Sequence, residues 1–368
     1  MIIKEVVARN ISIPLKRPVT NSAMSFSSCE YTLVNITTND GVEGWSFAFG
    51  MPLTKWAVEA FVPLLTGEEI DIKRLWHKMY NSRTSRFDRG GIVMRAISAI
   101  DMALWDILGK YAKLPLYKMF GAFRDKTPVY YSGGHYPSPG ATESEALKYI
   151  EDDVNRAIGG GFSAYKMKIG GASVKIDLAR IALARRLLGT DRQLMLDAFC
   201  AYRPEVIIPM AAKFEQYDIH WLEEPVTLDD TLGYAYVSSR VSMPVAMGEA
   251  HYTLAQFRDI IDNGAARILM PDIAYVGGFT GILNIAAIAA FRGLQISPHW
   301  CHDLSVQLAL CVPEINILEY MDANSALFMI QKVIKNPVIA QKGFIMAPEG
   351  FGHGLVLDEE AVALYLEK

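Results

Sequence analysis

The sequence predicts an α/β chain built around a closed barrel of the (β/α)8 type, with a smaller sheet and a helical segment ahead of it. Three observations predict this. Beyond Pro128, eight short apolar runs alternate with longer amphipathic stretches, and each run ends in a polar or glycine-containing loop. Charged residues stand at the C-terminal ends of seven of these runs, at steps of 20 to 29 residues, the length of one strand plus one helix. Ahead of Pro128 that rhythm is missing, and period-two alternation gives way to helical spacing.

Taken in order, residues 1 to about 60 alternate apolar and polar positions around turn signals such as Asn39, Asp40 and Gly41, which predicts a short antiparallel sheet. From about Lys55 to Tyr111 the pattern is helical, with Met94, Ile97, Ile100, Ala103, Leu104 and Ile107 recurring at three- and four-residue steps. Barrel strands are expected at Val129–Ser132, Ala164–Ile169, Gln193–Asp197, His220–Glu223, Val245–Glu249, Arg267–Asp272, Leu294–His299 and Ile315–Glu319. The tail from about Gly343, with Pro348, Gly350, Gly352 and Gly354 before a last helical piece, is expected to return over the first domain. The predicted boundaries are 1–125, 126–342 and 343–368.

A chain of 368 residues, 51% of them hydrophobic, is long enough to bury a large barrel core and a second, smaller one. The net charge of −4 is spread without long runs of one sign, which argues against a nucleic-acid surface. Cys29, Cys200, Cys301 and Cys311 show neither CxxC spacing nor a paired framework, so a zinc ribbon or a secreted disulfide scaffold is not expected and a reducing cytoplasm fits. The first residues read as a strand rather than a signal peptide, and no transmembrane span is evident.

Lys166 and Lys168, Asp197, Glu223, Glu249, Asp272, His299 and Glu319 sit at the ends of strands two to eight. In a barrel these ends converge on one mouth, so the side chains would ring a single pocket. Three successive carboxylates, Asp197, Glu223 and Glu249, would repel in a half-dry mouth unless a cation neutralises them. An all-oxygen set of three with open positions selects a hard divalent ion, Mg2+ before a fully caged calcium. Glu224 alternates away from the pocket, which leaves Glu223 as the ligand. Lys166 and Lys168 share one face of their strand, and the crowding of two cations with a metal is expected to depress a lysine pKa far enough for it to act as a base. On the far side, a hydrogen bond from Asp272 would orient His299 as a second base. Glu319 reads either as a buried general acid or as a strand-end carboxylate. His302, His251, His220 and His135 read mainly as structural, with His135 the best placed to touch a substrate.

Together these residues resemble the enolase superfamily, and within it the mandelate racemase branch. The resemblance rests on Lys166, Met167 and Lys168; Asp197; Glu223, Glu224 and Pro225; Gly248 and Glu249; Asp272 with Gly277 and Gly278; Pro298 and His299; Glu319; and the run from Ala99 to Lys110. It implies a (β/α)7β TIM-type barrel with an α+β capping domain made from both ends of the chain. It also implies magnesium on Asp197, Glu223 and Glu249, Lys168 as base with Lys166 beside it, the His299–Asp272 pair on the opposite face, and Glu319 donating a hydrogen bond to the substrate carboxylate. The general scheme of a Lys or His base with magnesium stabilising an ene-diolate is a known pattern of that superfamily.

The reaction this implies is abstraction of the proton next to a carboxylate. Dehydration of a hydroxylated or sugar acid to a 2-keto acid is the first expectation, racemisation or epimerisation of a 2-hydroxy acid the second, and a non-catalytic binding or scaffold barrel a remote third. The expected partners are a small carboxylic acid and further copies of the chain, with neither nucleic acid nor membrane. Two departures bear on the substrate. Phe199 stands where many relatives have Asn, and the expected cap loops, Thr20–Phe26 and Phe47–Leu53, carry few charges, which suits a less polar substrate. Arg83, Arg86 and Arg89 could instead clamp a second carboxylate or form a solvated basic loop.

Overall fold

The computed structural model describes residues 1–49, 53–138, 140–322 and 328–367. Strands β1 (Ile3–Thr20), β2 (Ser25–Thr38) and β3 (Glu43–Phe49) form an antiparallel meander. One face of it packs on helices α1 (Leu53–Leu65), α2 (Ile72–Tyr80) and α3 (Gly91–Ala112), with Val34, Ile36, Phe61, Leu75, Ile97 and Leu104 in the shared core. A glycine is required where β3 crosses α3: a Cβ on Gly44 would meet Ile107 Cγ1 at 2.6 Å. A short helix α4 (Leu116–Met119) leads into the barrel.

The barrel strands are β4 (Lys126–Gly133), β5 (Ala164–Lys168), β6 (Gln193–Asp197), β7 (Ile219–Glu223), β8 (Val245–Met247), β9 (Ile268–Leu269), β10 (Gln295–Ile296) and β11 (Leu318–Tyr320). They pair in parallel in the order β10-β9-β8-β7-β6-β5-β4-β11, and a parallel bridge between Ile296 and Ile315 joins the two ends. Seven helices fill the connections: α5 (Glu143–Gly159), α6 (Val174–Leu188), α7 (Pro204–Phe214), α8 (Thr231–Ser238), α9 (Leu254–Asp262), α10 (Gly278–Arg292) and α11 (His302–Ala309). The architecture is therefore (β/α)7β with an α+β cap. Inside the cylinder, Tyr130, Ala164, Met195, Trp221, Ala246, Ile268 and Met270 form a packed layer, so the barrel is a plugged floor rather than a pore.

Three strands stop short of the charged residue expected at their ends. β8, β9 and β10 stop at Met247, Leu269 and Ile296, leaving Glu249, Asp272 and His299 in the loops just beyond. Pro271 and Pro298 explain two of these ends, because a proline has no N–H to give the ladder. Pairing resumes for one step past them, as a bridge between Asp272 and His299.

After β11 the chain turns back. β12 (Phe344–Met346) pairs antiparallel with β4, and α12 (Glu359–Tyr365) lies against β1, where Arg9 grips Glu359 at 2.5 and 2.9 Å. His353 is buried in this return, its Nε2 2.8 Å from Trp45 O, while Trp45 Nε1 donates to Leu355 O at 3.1 Å. The tail thus touches the first sheet at β1 and at Trp45. Among the described residues, no helix is long and apolar enough to cross a membrane.

The cap also locks onto the barrel through α3. Asp101, buried, accepts from the Thr280 N–H at 3.1 Å and the Thr280 hydroxyl at 2.6 Å, and Trp105 Nε1 donates to the same hydroxyl at 3.0 Å. Replacing Asp101 with Ala would leave buried donors unpaired at a cost of about 1–3 kcal/mol. Asp101→Ala is therefore expected to unfold at a lower denaturant concentration than the parent, and an unchanged midpoint would mean that this contact does not hold the cap.

Candidate active site

Parallel register sets the first contacts of the site. Lys168 on β5 pairs with Asp197 on β6, which pairs with Glu223 on β7, so three charged side chains stand shoulder to shoulder at one rim. Gly248, with φ at +132°, turns the chain after β8 and brings Glu249 alongside. Glu224 points outward and fixes that turn, accepting from the Gly248 N–H at 2.8 Å and from the Tyr234 hydroxyl. Ligand oxygens of Asp197, Glu223 and Glu249 all lie within 4.8 Å of one another, and all three residues are buried.

So much negative charge in a dry volume needs compensation. Lys166 Nζ lies 2.5 Å from Glu223 Oε1, 2.9 Å from Glu319 Oε1 and 3.6 Å from Asp197 Oδ2, and Lys168 is ion-paired with Asp197. The remaining oxygens are partly held. The Phe199 N–H donates to Asp197 Oδ1 at 2.9 Å and the Trp221 indole to Glu223 Oε2 at 3.0 Å. Glu249 Oε2 is buried and accepts no hydrogen bond. An orphaned carboxylate oxygen facing two more carboxylates is the donor set of a hard divalent cation, so the residues present fit such an ion.

Among the protein's own charges, crowding does not lower the pKa of either lysine. Burial does work against the charge on both, but Glu223 and Glu319 around Lys166, and Asp197 beside Lys168, outweigh it and hold both ammoniums above the ordinary lysine range. Repulsion from Lys166 acts on Lys168 in the expected sense, yet it is weaker than the pull of Asp197. In return, despite its burial, Asp197 is drawn down to about 2 by the two lysines.

On the opposite side, His299 Nδ1 is 2.9 Å from Asp272 Oδ2, and the Ala274 N–H donates to Asp272 Oδ1 at 2.7 Å. This fixes the ring with Nε2 turned toward the cage, 3.4 Å from Glu249 Oε2. Burial alone would lower the His299 pKa, but Glu249, Asp272 and Glu319 together push it up to about 10. Glu319 differs from the donor role the resemblance gives it. It accepts the Trp300 N–H at 2.8 Å and the Lys166 ammonium, and although buried it is held as a carboxylate, below its usual range, by Lys166 and His299.

Around this cage the walls are aromatic. Phe49 at the end of β3 packs on Trp300 with centroids 4.9 Å apart, and the Lys168 ammonium lies 5.3 Å from the Phe199 ring centre. Ser22, in the first cap loop, donates to Ala198 O at 3.0 Å and tethers that loop to the end of β6. Of the second cap loop, residues 50–52 lie outside the described residues. His135 is buried with Nε2 unpartnered, and burial together with Lys168 lowers its pKa to about 3. Arg83, Arg86 and Arg89 are exposed; Arg89 lies over Tyr80 and donates to Asn81, as a solvated loop would. His220 lies near the start of β7, at the other end of the barrel, His251 is buried without a partner for Nδ1, and His302 packs on Tyr320 and Phe328. Among the described residues, Cys29, Cys200, Cys301 and Cys311 form no disulfide.

Two residues of the site are not singled out by the sequence. Trp221 lies two positions before Glu223, a spacing that puts both inside the barrel. Arg180, fully buried in α6, donates to the carbonyls of Lys168 at 2.8 Å, of Gly134 at 2.5 Å and of His135 at 3.2 Å, and no local pattern announces it.

Comparison with known proteins places this arrangement. Residues 3–121 match the mandelate racemase / muconate lactonizing enzyme N-terminal domain, and residues 149–361 match the enolase C-terminal domain-like model. The chain is 32% identical over 355 residues to the 3,6-anhydro-alpha-L-galactonate cycloisomerase of Streptomyces coelicolor, covering 95% of both. It is 31% identical over 340 residues to the arabinonate dehydratase of Saccharolobus solfataricus, covering 89% of this chain and 88% of that one. The solved structure of a Streptomyces coelicolor racemase with bound magnesium superposes with a TM-score of 0.91 at 29% identity, over the full length of both chains. The chain belongs to the mandelate racemase / muconate lactonizing enzyme family, with an enolase C-terminal domain-like barrel carrying the charged cage.

Proposed function

We propose that this chain is a magnesium-dependent enzyme that removes the proton next to the carboxylate of a small hydroxylated acid and expels a β-hydroxyl, giving a 2-keto acid. The observation that carries the reading is the placement of Lys168 and the Asp272–His299 pair on either side of one cage of three carboxylates. Magnesium held by Asp197, Glu223 and Glu249 supplies the positive charge that makes so weakly acidic a proton removable.

The side chains divide the remaining work. Lys168, in its neutral form, takes the proton from the carbon on its face. Once Asp197 and Glu223 share their charge with a cation, their grip on the lysines weakens and that neutral form becomes accessible. Lys166 keeps its proton and lies against the charge that develops on the substrate carboxylate. Glu319 holds Lys166 in place. His299, with Nδ1 committed to Asp272, presents Nε2–H to the departing hydroxyl and gives it the proton needed to leave as water. The likeness to an arabinonate dehydratase supports this outcome.

Racemisation is the second reading, favoured by the apolar wall of Phe49, Phe199 and Trp300 and by bases on both faces. Incubating hydroxylated acids with the enzyme and magnesium in deuterated buffer separates the two. A 2-keto acid, detected by its carbonyl adduct, is expected for dehydration. Deuterium incorporation with inversion and no keto acid would replace that reading with racemisation, and neither product from a broad panel of acids would overturn the proton-abstraction chemistry itself.

Asp272→Asn is expected to lower kcat by about 100-fold or more, since it removes the partner that fixes the His299 ring. The sign of the pH effect comes from the same contact. Asp272 helps raise the His299 pKa, so its loss lowers that pKa, and the high-pH limb of the activity profile moves toward lower pH. A limb that stays in place would remove His299 from the role of acid.

A further inference from the structure

Beneath the cage, one side chain of the barrel floor reaches a ligand of the proposed metal site. Trp221 belongs to the apolar layer that plugs the cylinder and is 1% exposed, packed edge-on against Tyr130 at 5.3 Å. Its indole N–H is a donor with no access to water, and it goes to Glu223 Oε2 at 3.0 Å, while Glu223 Oε1 faces Lys166 at 2.5 Å. A donor below and a cation beside the same carboxylate leave it little freedom to rotate. Asp197 is held in the same manner, with one oxygen on the Phe199 N–H and the other toward Lys168, but there the fixed donor is backbone. Glu223 differs in depending on a side chain.

We infer that Trp221 is a positioning residue for the cation site: its indole N–H fixes Glu223 so that the opposite oxygen is presented to the metal. The inference rests on the proposed role of Glu223 as a magnesium ligand. Outer partners that orient a metal ligand cost roughly 10–100-fold in metal affinity when removed. A residue that only filled the barrel would show no such selective effect.

The test is calorimetric titration of the purified, metal-stripped chain with MgCl2, comparing the parent, Trp221→Phe and Met195→Leu. Met195 lies in the same interior layer two residues before Asp197, so its substitution changes packing without touching a donor. Trp221→Phe is expected to raise the dissociation constant at least about tenfold, with an unchanged circular dichroism spectrum, while Met195→Leu stays near the parent. Equal affinities for parent and Trp221→Phe, or an equal loss in both variants, would overturn the positioning role while leaving the metal site intact. A parent that binds no magnesium at millimolar concentration would overturn the metal reading and this inference with it. Should Trp221→Phe not fold, Trp221→His, which retains a ring N–H, is decisive: affinity near the parent supports the donor, and a loss beyond tenfold overturns it.

Discussion

Three carboxylates cannot share a dry pocket without positive charge among them, and most of the features of this barrel mouth answer that constraint. Asp197, Glu223 and Glu249 converge because neighbouring parallel strands run in register, and they stay dry because the floor beneath is packed with aromatic and aliphatic side chains. Compensation comes from Lys166 and Lys168, themselves too buried to carry charge except beside these acids. Neither set is stable alone in its ionised form. That mutual dependence keeps the cage in a state where charge can be redistributed, which is what proton transfer requires.

The layers around the cage supply rigidity rather than chemistry. Arg180 ties the carbonyls at the ends of β4 and β5, Glu224 and Tyr234 set the turn into Glu249, and Asp272 commits one nitrogen of His299. Arg180 also donates to Asp177 and Tyr234 to Val226 O, so a displacement at the rim would strand several hydrogen bonds at once. The charged side chains are thus positioned by strand ends and buried networks, whereas Phe49 reaches the site from the cap.

Much of the barrel and its charged mouth is legible in the sequence, and what is not has physical reasons. Eight apolar runs, seven of them with charged ends, are enough to predict a barrel and the ring at its mouth, because period-two alternation and a fixed connection length leave little choice of topology. The pattern overstates strand length at Asp272 and His299, where Pro271 and Pro298 interrupt the ladder even though the residues beyond them still reach the rim. It also leaves the charge on the lysines undetermined, since each ammonium answers to how many carboxylates surround it, a count that pattern cannot supply. Trp221 is the instructive omission. Its place two residues before Glu223 is plain, but whether an interior indole finds a carboxylate depends on the pitch and closure of the barrel.

Because the charges are fixed by the barrel and the walls are shared with the cap, first chemistry and final product answer to different parts of the chain. Proton removal, as proposed, needs only the cage and one base, and proteins named for cycloisomerisation, dehydration and racemisation all resemble this chain. On the proposed chemistry, the later steps turn on which substrate atom lies near His299 Nε2: a hydroxyl there would leave, and a carbon there would be reprotonated. Phe49, from the cap, and Trp300, next to His299, pack together at that position. The contact joins the cap to the residue next to His299. On that reading, a change at Phe49 would reshape the space beside His299 while leaving the acids, lysines and floor of the cage in place.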